Sequence, residues 1–132
     1  MKAIGGKMTY GINQGSVIEC IDNTGAKLLK VISVKGYKGR KRRIAKAGVG
    51  DLVKCSVVRG DPKIRDELPL AVIVRQRKEW RRPDGTRVKF ESNAAVLVNE
   101  KGLPRGSEIK GVIAKEAVKR FPAIGKIASV VV

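Results

Sequence analysis

Two dense groups of basic side chains are the residues of this sequence best suited to chemistry, and that chemistry is the binding of a polyanion. The first group lies within residues 35–46, where no acid occurs, and consists of Lys35, Lys38, Arg40, Lys41, Arg42, Arg43 and Lys46. The second lies within residues 75–89, where two acids occur, and consists of Arg75, Arg77, Lys78, Arg81, Arg82, Arg87 and Lys89. The chain carries 29 Lys and Arg against 12 Asp and Glu, a formal net charge of +17. Because such a charge repels itself in a compact state, the two groups predict a phosphate backbone as the main ligand.

Aromatic residues are scarce among these basic side chains, and that scarcity bears on the kind of nucleic acid. Tyr37 and Trp80 are the two candidates for stacking on bases, although either ring could equally cap the hydrophobic core. Two aromatic rings are too few for a surface that binds single-stranded nucleic acid by stacking its bases. We therefore expect recognition of structured RNA through its phosphates and its shape. The alternatives are a chromatin-like protein that coats duplex DNA and basic faces that only meet solvent.

The sequence gives little support to catalysis. It contains no histidine, so the usual general base and the usual serine or cysteine triads are missing. A Ser–Lys pair is the catalytic alternative left open, and nothing in the sequence favours it. The segment Gly48-Val49-Gly50-Asp51 lacks the phosphate-loop pattern and is predicted to be a turn before a strand. We therefore expect a protein that is not an enzyme and has no cofactor.

The two cysteines are predicted to be free thiols. Cys20 and Cys55 each lie in an apolar, strand-like run, and a disulfide between them is the less favoured alternative. Zinc is disfavoured because there is neither a CxxC pair nor a histidine. No apolar run is long enough to cross a membrane and no signal peptide is seen, so we expect a soluble, cytoplasmic protein that does not bind membranes.

Short strands joined by close turns are expected to position the basic groups. Residues 17–21, 28–34, 52–58, 70–74, 86–90 and 94–98 read as strands, either alternating or continuously apolar. The turns between them are marked by residues with suitable backbone preferences: Gly25, Gly48, Gly50, Pro83, Asp84 and Gly85. In particular, Arg82-Pro83-Asp84-Gly85 predicts the turn of a hairpin whose outer face carries the second basic group.

These elements predict a mainly β fold, a small closed five-stranded barrel with a projecting β-hairpin ribbon and short C-terminal helices. Residues 1–16 are expected to form an extended N-terminal arm, and residues 17–132 a single barrel domain with a C-terminal helical segment. The helix is predicted from two i,i+4 pairs, Ile113 with Ala117 and Ala114 with Val118, and Pro122 is expected to end it.

The C-terminal part is the candidate surface for a protein partner. A helix of about ten residues is marginal alone, so its apolar stripe must pack on something, either its own barrel or a partner. The hypothesis of a partner also includes the apolar tail that ends at Val132, which is unfavourable to leave in water. The side chains assigned to this surface are Lys115, Lys119, Phe121 and Ile127.

The segment from residue 71 to residue 97 resembles a known family. Ala71-Val72-Ile73-Val74 is followed at fixed spacing by Asp84-Gly85, by Phe90 and Asn93, and by Val96-Leu97. This pattern is similar to the signature of the universal large-subunit ribosomal protein L-fourteen family, and the similarity extends over about residues 17–121. The glycine-bearing arm and the run from Lys35 to Arg43 resemble the archaeal and eukaryotic branch more than the bacterial one.

The resemblance implies a function that composition alone does not reach. It implies a five-stranded barrel that binds large-subunit ribosomal RNA at the subunit interface and contributes to intersubunit bridges. The implied partners are neighbouring large-subunit ribosomal proteins, small-subunit ribosomal RNA across the interface and a subunit anti-association factor.

Overall fold

A computed structural model describes residues 8–132 of the chain, and residues 1–7, which belong to the predicted N-terminal arm, lie outside the described residues. The strands, in chain order, are β1 (Ile12–Asn13), β2 (Val17–Cys20), β3 (Ala26–Val34), β4 (Lys46–Ala47), β5 (Leu52–Gly60), β6 (Leu70–Arg75), β7 (Trp80–Arg81), β8 (Arg87–Val88), β9 (Ala94–Val98), β10 (Ile109–Ile113) and β11 (Ala128–Val131). The helices are α1 (Pro62–Arg65), α2 (Lys115–Arg120) and α3 (Pro122–Ile127).

Five strands close into a barrel in the order β2-β3-β5-β6-β9, which confirms the predicted fold class. The neighbours pair antiparallel except for β2 and β9, which run parallel and close the ring through Glu19 opposite Ala94 and Cys20 opposite Ala95. Closure leaves the barrel without a free sheet edge, where another chain could pair.

The apolar pattern of the strands explains the core. In β5 the alternating residues Val53, Cys55 and Val57 are buried, as the period of two predicts. Strands β6 and β9 are instead buried along nearly their whole length, and β6 is contacted by β10 and α2 in addition to its neighbours in the barrel. The core is aliphatic, with Trp80 as its largest fully buried side chain.

The segment before the barrel is partly folded onto it. Strand β1 pairs antiparallel with β4, with Ile12 opposite Ala47, and both of these side chains are buried. The pairing fixes the C-terminal end of the basic segment of residues 35–46, since Lys46 belongs to β4.

The C-terminal segment is richer in structure than expected. The spacing predicts a helix that includes Ile113, but α2 begins only after Ala114. Ile113 belongs to β10 instead. Pro122 does end α2, and it also occupies the first turn of α3, where its missing N–H removes no hydrogen bond. The tail then forms β11, which runs parallel to β10. The C-terminal segment therefore packs partly on its own fold, while the valines at its end stay 44–49% exposed.

Candidate nucleic-acid interface

The segment of residues 35–46, called the basic loop below, connects β3 to β4 and presents all seven of its basic side chains to solvent. Its base is held by the Lys35 N–H, which donates to Leu52 O at 2.9 Å, and by Asn13 opposite Lys46. Within residues 8–132, the ion pairs of 4 Å or less involve none of the loop's cations. The charge of the loop is therefore not neutralised inside the described part of the chain, which leaves it available to an external anion.

A tight turn at the tip of the basic loop places Arg42 in an unusual backbone conformation. The Arg43 N–H donates to Arg40 O at 3.1 Å, and Arg42 has a φ of 67°, in the region that glycine normally occupies. A residue with a Cβ carries a cost of about 1–2 kcal/mol there. The fold retains a cation at this position despite that cost.

The second basic group lies on and beside a hairpin built by β7 and β8, with Trp80 opposite Val88 and Arg81 opposite Arg87. The Gly85 N–H donates to Arg82 O at 2.9 Å and the Arg82 N–H donates to Thr86 O at 2.8 Å, so the turn falls at residues 83–85, as predicted. Five cations of this group are exposed: Arg77, Lys78, Arg81, Arg87 and Lys89. Arg87 also lies 3.4 Å from Glu79, an exposed ion pair that contributes little to stability.

Three residues predicted to bind RNA are instead part of the fold. Arg82 Nε lies 2.8 Å from Glu116 Oε1, and the two side chains are 11% and 5% exposed. Arg75 lies mostly inside as well, 3.5 Å from Glu19. These pairs join residues far apart in the chain, so the sequence could not distinguish these arginines from their exposed neighbours.

Trp80 is the third of these residues, and it is 1% exposed. Its ring stacks on Phe90 with centroids 5.8 Å apart, and the Arg82 guanidinium lies 6.0 Å from its centroid. The sequence left open whether Trp80 stacks on bases or caps the core. Because the ring is buried, no base can reach it, and the second alternative is correct.

The predicted turn residues have the expected backbone roles. Gly50 and Gly85 have φ of 87° and 90°, values that strain any residue with a Cβ. The Gly48 N–H donates to Asp51 Oδ2 at 2.7 Å, which closes the turn before β5. Gly25 lies in the loop between β2 and β3, and Pro83 begins the hairpin turn. The Thr86 N–H donates to Asp84 Oδ1 at 2.9 Å and lowers the pKa of the Asp84 carboxyl.

The residues of the predicted partner surface divide between the core and the surface. Phe121 is buried at 7% exposure, so it cannot contact a partner, whereas Lys119 is exposed and Lys115 and Ile127 are half-buried. Val130, Val131 and Val132 remain 44–49% exposed beside β10.

The positions of two residues, Tyr10 beside the basic loop and Asp22 inside the fold, were not predicted. Tyr10 is 54% exposed and lies beside the basic loop. It is 27 positions from Tyr37 in the sequence, and nothing in the sequence indicates that the two rings lie near the same cavity.

Asp22 is buried and accepts hydrogen bonds from the Leu97 N–H at 2.8 Å and from Thr24 Oγ1 at 2.6 Å. An Asp before Asn-Thr-Gly is common in surface turns, so its burial was not evident from the sequence.

The thiols and acids form no site of another kind in the described residues. Cys20 and Cys55 are free, and burial raises the pKa of both thiols, that of Cys55 to about 12. Groups of acidic, cysteine or histidine side chains that could hold a metal do not occur in residues 8–132. In the same range, no helix is long and apolar enough to cross a membrane.

A closed five-stranded barrel with an acid-free cationic loop and a basic hairpin defines a class, the small β-barrel proteins whose surface suits a polyanion. Residues 11–132 match the model of the family described as Ribosomal protein L14p/L23e, and the chain belongs to that family.

Similar proteins extend over the whole chain. It is 54% identical over 132 residues to the large ribosomal subunit protein uL14 of Haloarcula marismortui, a match that covers 100% of both chains. The proteins of the same name from Halobacterium salinarum and Natronomonas pharaonis are 53% and 52% identical, again over 100% of both chains. The resemblance seen in the sequence is thereby confirmed.

Proposed function

We propose that this protein is a structural component of the large ribosomal subunit that binds ribosomal RNA through the basic loop and the exposed cations of the β7–β8 hairpin. The observation that carries the proposal is the basic loop, since seven exposed cations without a partner in residues 8–132 need an external counter-charge. Family membership and full-length relatives named as large-subunit proteins support the ribosome as the setting.

The finer part of the proposal concerns location and partners. The family resemblance supports a place at the subunit interface in the ribosome of the cytoplasm, with contacts to neighbouring ribosomal proteins, to small-subunit RNA and to an anti-association factor. The half-exposed valines at the end of the chain give such a protein partner an apolar surface. The protein's contribution is binding and positioning, and we assign it no catalytic step.

The first test asks where the protein is found. In a native extract, it is expected to sediment with large subunits, and this association should be lost on RNase treatment and survive DNase treatment. The opposite sensitivity would contradict the proposal and support a protein that coats duplex DNA.

The second test asks whether the basic loop binds phosphate. Lys41→Ala/Arg43→Ala removes two exposed loop cations, and Lys63→Ala/Arg65→Ala removes two cations from α1, which lies among the acids Asp61, Asp66 and Glu67. Both variants lower the net charge equally. In a salt titration of binding to large-subunit ribosomal RNA, we expect the log–log slope to fall by about 0.7–0.9 per lost phosphate contact for the loop variant only. Equal slopes for the two variants would show that the loop only faces solvent.

A further inference from the structure

A cavity of about 410 Å³ lies where the basic loop meets the barrel, and its lining is not explained by phosphate binding alone. Tyr10 and Tyr37 both line it, together with Lys35, Lys38 and Lys46. The volume falls within the range of about 300–1,000 Å³ that is usual for small-ligand sites. Aromatic rings and cations in one cavity are the combination that recognises a nucleotide, with its flat base and its charged phosphate.

The exposure of the two tyrosines sets them apart from the other aromatic residues. Tyr10 is 54% and Tyr37 is 40% exposed, whereas Trp80 and Phe121 are buried and Phe90 packs against the core. All five aromatic residues of the chain lie within the described residues. The two exposed rings thus line the same cavity, although 26 residues separate them in the sequence.

Tyr37 is held in place by a hydrogen bond, and Tyr10 lies close to the backbone of Gly48. Tyr37 Oη donates to Ile44 O at 3.2 Å, a bond that spans the basic loop. A Cβ placed on Gly48 would lie 3.2 Å from Tyr10 Cδ1, so the glycine lets that ring lie against the backbone. A ring that is fixed before binding loses little conformational entropy when a base stacks on it.

The electrostatics of the cavity favour an anion. The carboxylate in its lining, Asp51, is already engaged, because Oδ1 accepts from Arg120 Nη1 at 2.9 Å and Oδ2 accepts from the Gly48 N–H at 2.7 Å. Lys35, Lys38 and Lys46 therefore determine the sign of the charge that a ligand meets.

We propose that this cavity binds a single unstacked nucleotide of structured RNA, with its base on Tyr37 and Tyr10 and its flanking phosphates at Lys35, Lys38 and Lys46. The inference rests on the proposed function and adds a specific subsite to it. It differs from phosphate contact along a helix because a base must leave its stack to enter the cavity. Tyr10, which joins the site from outside the basic loop, makes the site discontinuous in sequence.

The first experiment measures binding of the purified protein to protein-free large-subunit ribosomal RNA over a range of salt concentrations. Tyr37→Ala and Tyr10→Ala are each expected to weaken binding about tenfold, without a change in the log–log salt slope, because a neutral ring releases no counterion. Tyr10→Phe, the matched control, keeps the ring and should bind within about twofold of wild type. Tyr37→Phe keeps the ring but loses the bond to Ile44 O, so its affinity should lie between those of wild type and Tyr37→Ala. Lys35→Ala/Lys38→Ala should lower the slope by about 0.7–0.9 per contact. Thermal unfolding of each variant checks that the fold is retained.

The second experiment needs no variant. Purified large subunits are irradiated at short ultraviolet wavelength, and nucleotide–peptide adducts are mapped by mass spectrometry. We expect adducts at Tyr37 or Tyr10. Adducts at the loop lysines with none at either tyrosine, together with Tyr→Ala variants that bind as wild type, would overturn the inference and leave the proposed function standing. A protein absent from the subunits and unable to bind the RNA would instead overturn the proposed function.

Discussion

Acidic side chains are few in this cationic protein, and several of them serve to hold its own backbone and arginines. Asp22 accepts the N–H of Leu97 in a neighbouring strand, Asp51 closes a turn and pairs with Arg120, and Glu116 pairs with Arg82. A carboxylate that is hydrogen-bonded or paired inside the fold does not neutralise the exposed cations. The exposed cations of the basic loop keep their full effect on an approaching polyanion because the acids are engaged elsewhere.

The turn acid Asp51 gives the protein a predictable pH response. Burial raises the pKa of its carboxyl above the ordinary value of 3.8, and the Gly48 N–H and Arg120 oppose that rise. Between 3.8 and the higher folded value, the native state binds more protons than the unfolded state, so this group's contribution to the free energy of unfolding falls as pH rises. Asp51→Asn cannot titrate and should not show this fall.

The measurement is urea denaturation of both proteins at a series of pH values from 3 upward. We expect the wild-type free energy of unfolding, relative to that of Asp51→Asn, to decrease as the pH rises through the window and then to level off. A relative stability that increases over the same window would mean that the ion pair with Arg120 outweighs burial, contrary to the prediction.

Individual side chains are also where sequence reasoning is weakest. The exposed cation Arg81 and the inward-facing Arg82 are adjacent in the sequence, and distant partners of Arg82, above all Glu116, 34 positions away, distinguish them. Trp80 similarly lies in a run of basic residues and is nevertheless the largest fully buried side chain. Composition locates a binding segment, but the three-dimensional partners decide which of its members face outward.

At the scale of elements, the β7–β8 hairpin depends on the conformational freedom of one residue. Gly85 has a φ of 90°, and a Cβ there would meet no atom within 4 Å, so only backbone strain opposes substitution. Gly85→Val is expected to destabilise the protein by about 1–2 kcal/mol, whereas Gly85→Asn should cost less because Asn tolerates positive φ. Urea denaturation of the two variants measures the difference, and equal stabilities would show that the turn has rearranged.

Elements with a clear apolar period could be predicted, and those stabilised by distant pairing could not. Alternation identified β5, and continuous apolar runs identified β6 and β9. Strand β10 contains Gly111 at a φ of 82°, a residue typical of loops, and its pairing with β11 is parallel and therefore not a hairpin. The composition of the apolar tail fits both a strand and a partner surface, and in the structure the tail forms a strand whose valines stay 44–49% exposed.

At the scale of the whole molecule, the C-terminal segment stabilises the barrel by packing against it. Ile124 of α3 is fully buried, and β11 pairs with β10, which in turn contacts the barrel strand β6. Ile124→Ala is therefore expected to lower the free energy of unfolding by about 2–5 kcal/mol. Val130→Ser, at a half-exposed position in the same segment, should change it by about 0.5 kcal/mol or less.

Truncation after Phe121 tests the same idea more severely, because it removes α3 and β11 together. We expect the truncated protein to unfold or to lose its cooperative thermal transition. A truncated protein that keeps wild-type stability and RNA affinity, and loses only the binding of a protein partner, would contradict this prediction. It would show that the whole segment serves as a partner surface.

The contacts of Arg82 impose an order on how the chain is completed during synthesis. Its guanidinium meets Glu116, 34 residues further along, and the Val132 main-chain oxygen, 50 residues further along, so the hairpin is synthesised before either partner. Until residue 116 has been added, Arg82 has no carboxylate to pair with, and the hairpin carries one more available cation than it does in the folded protein. A nascent hairpin is therefore more attractive to polyanions than the folded one, and the synthesis of α2, which carries Glu116, withdraws that extra charge.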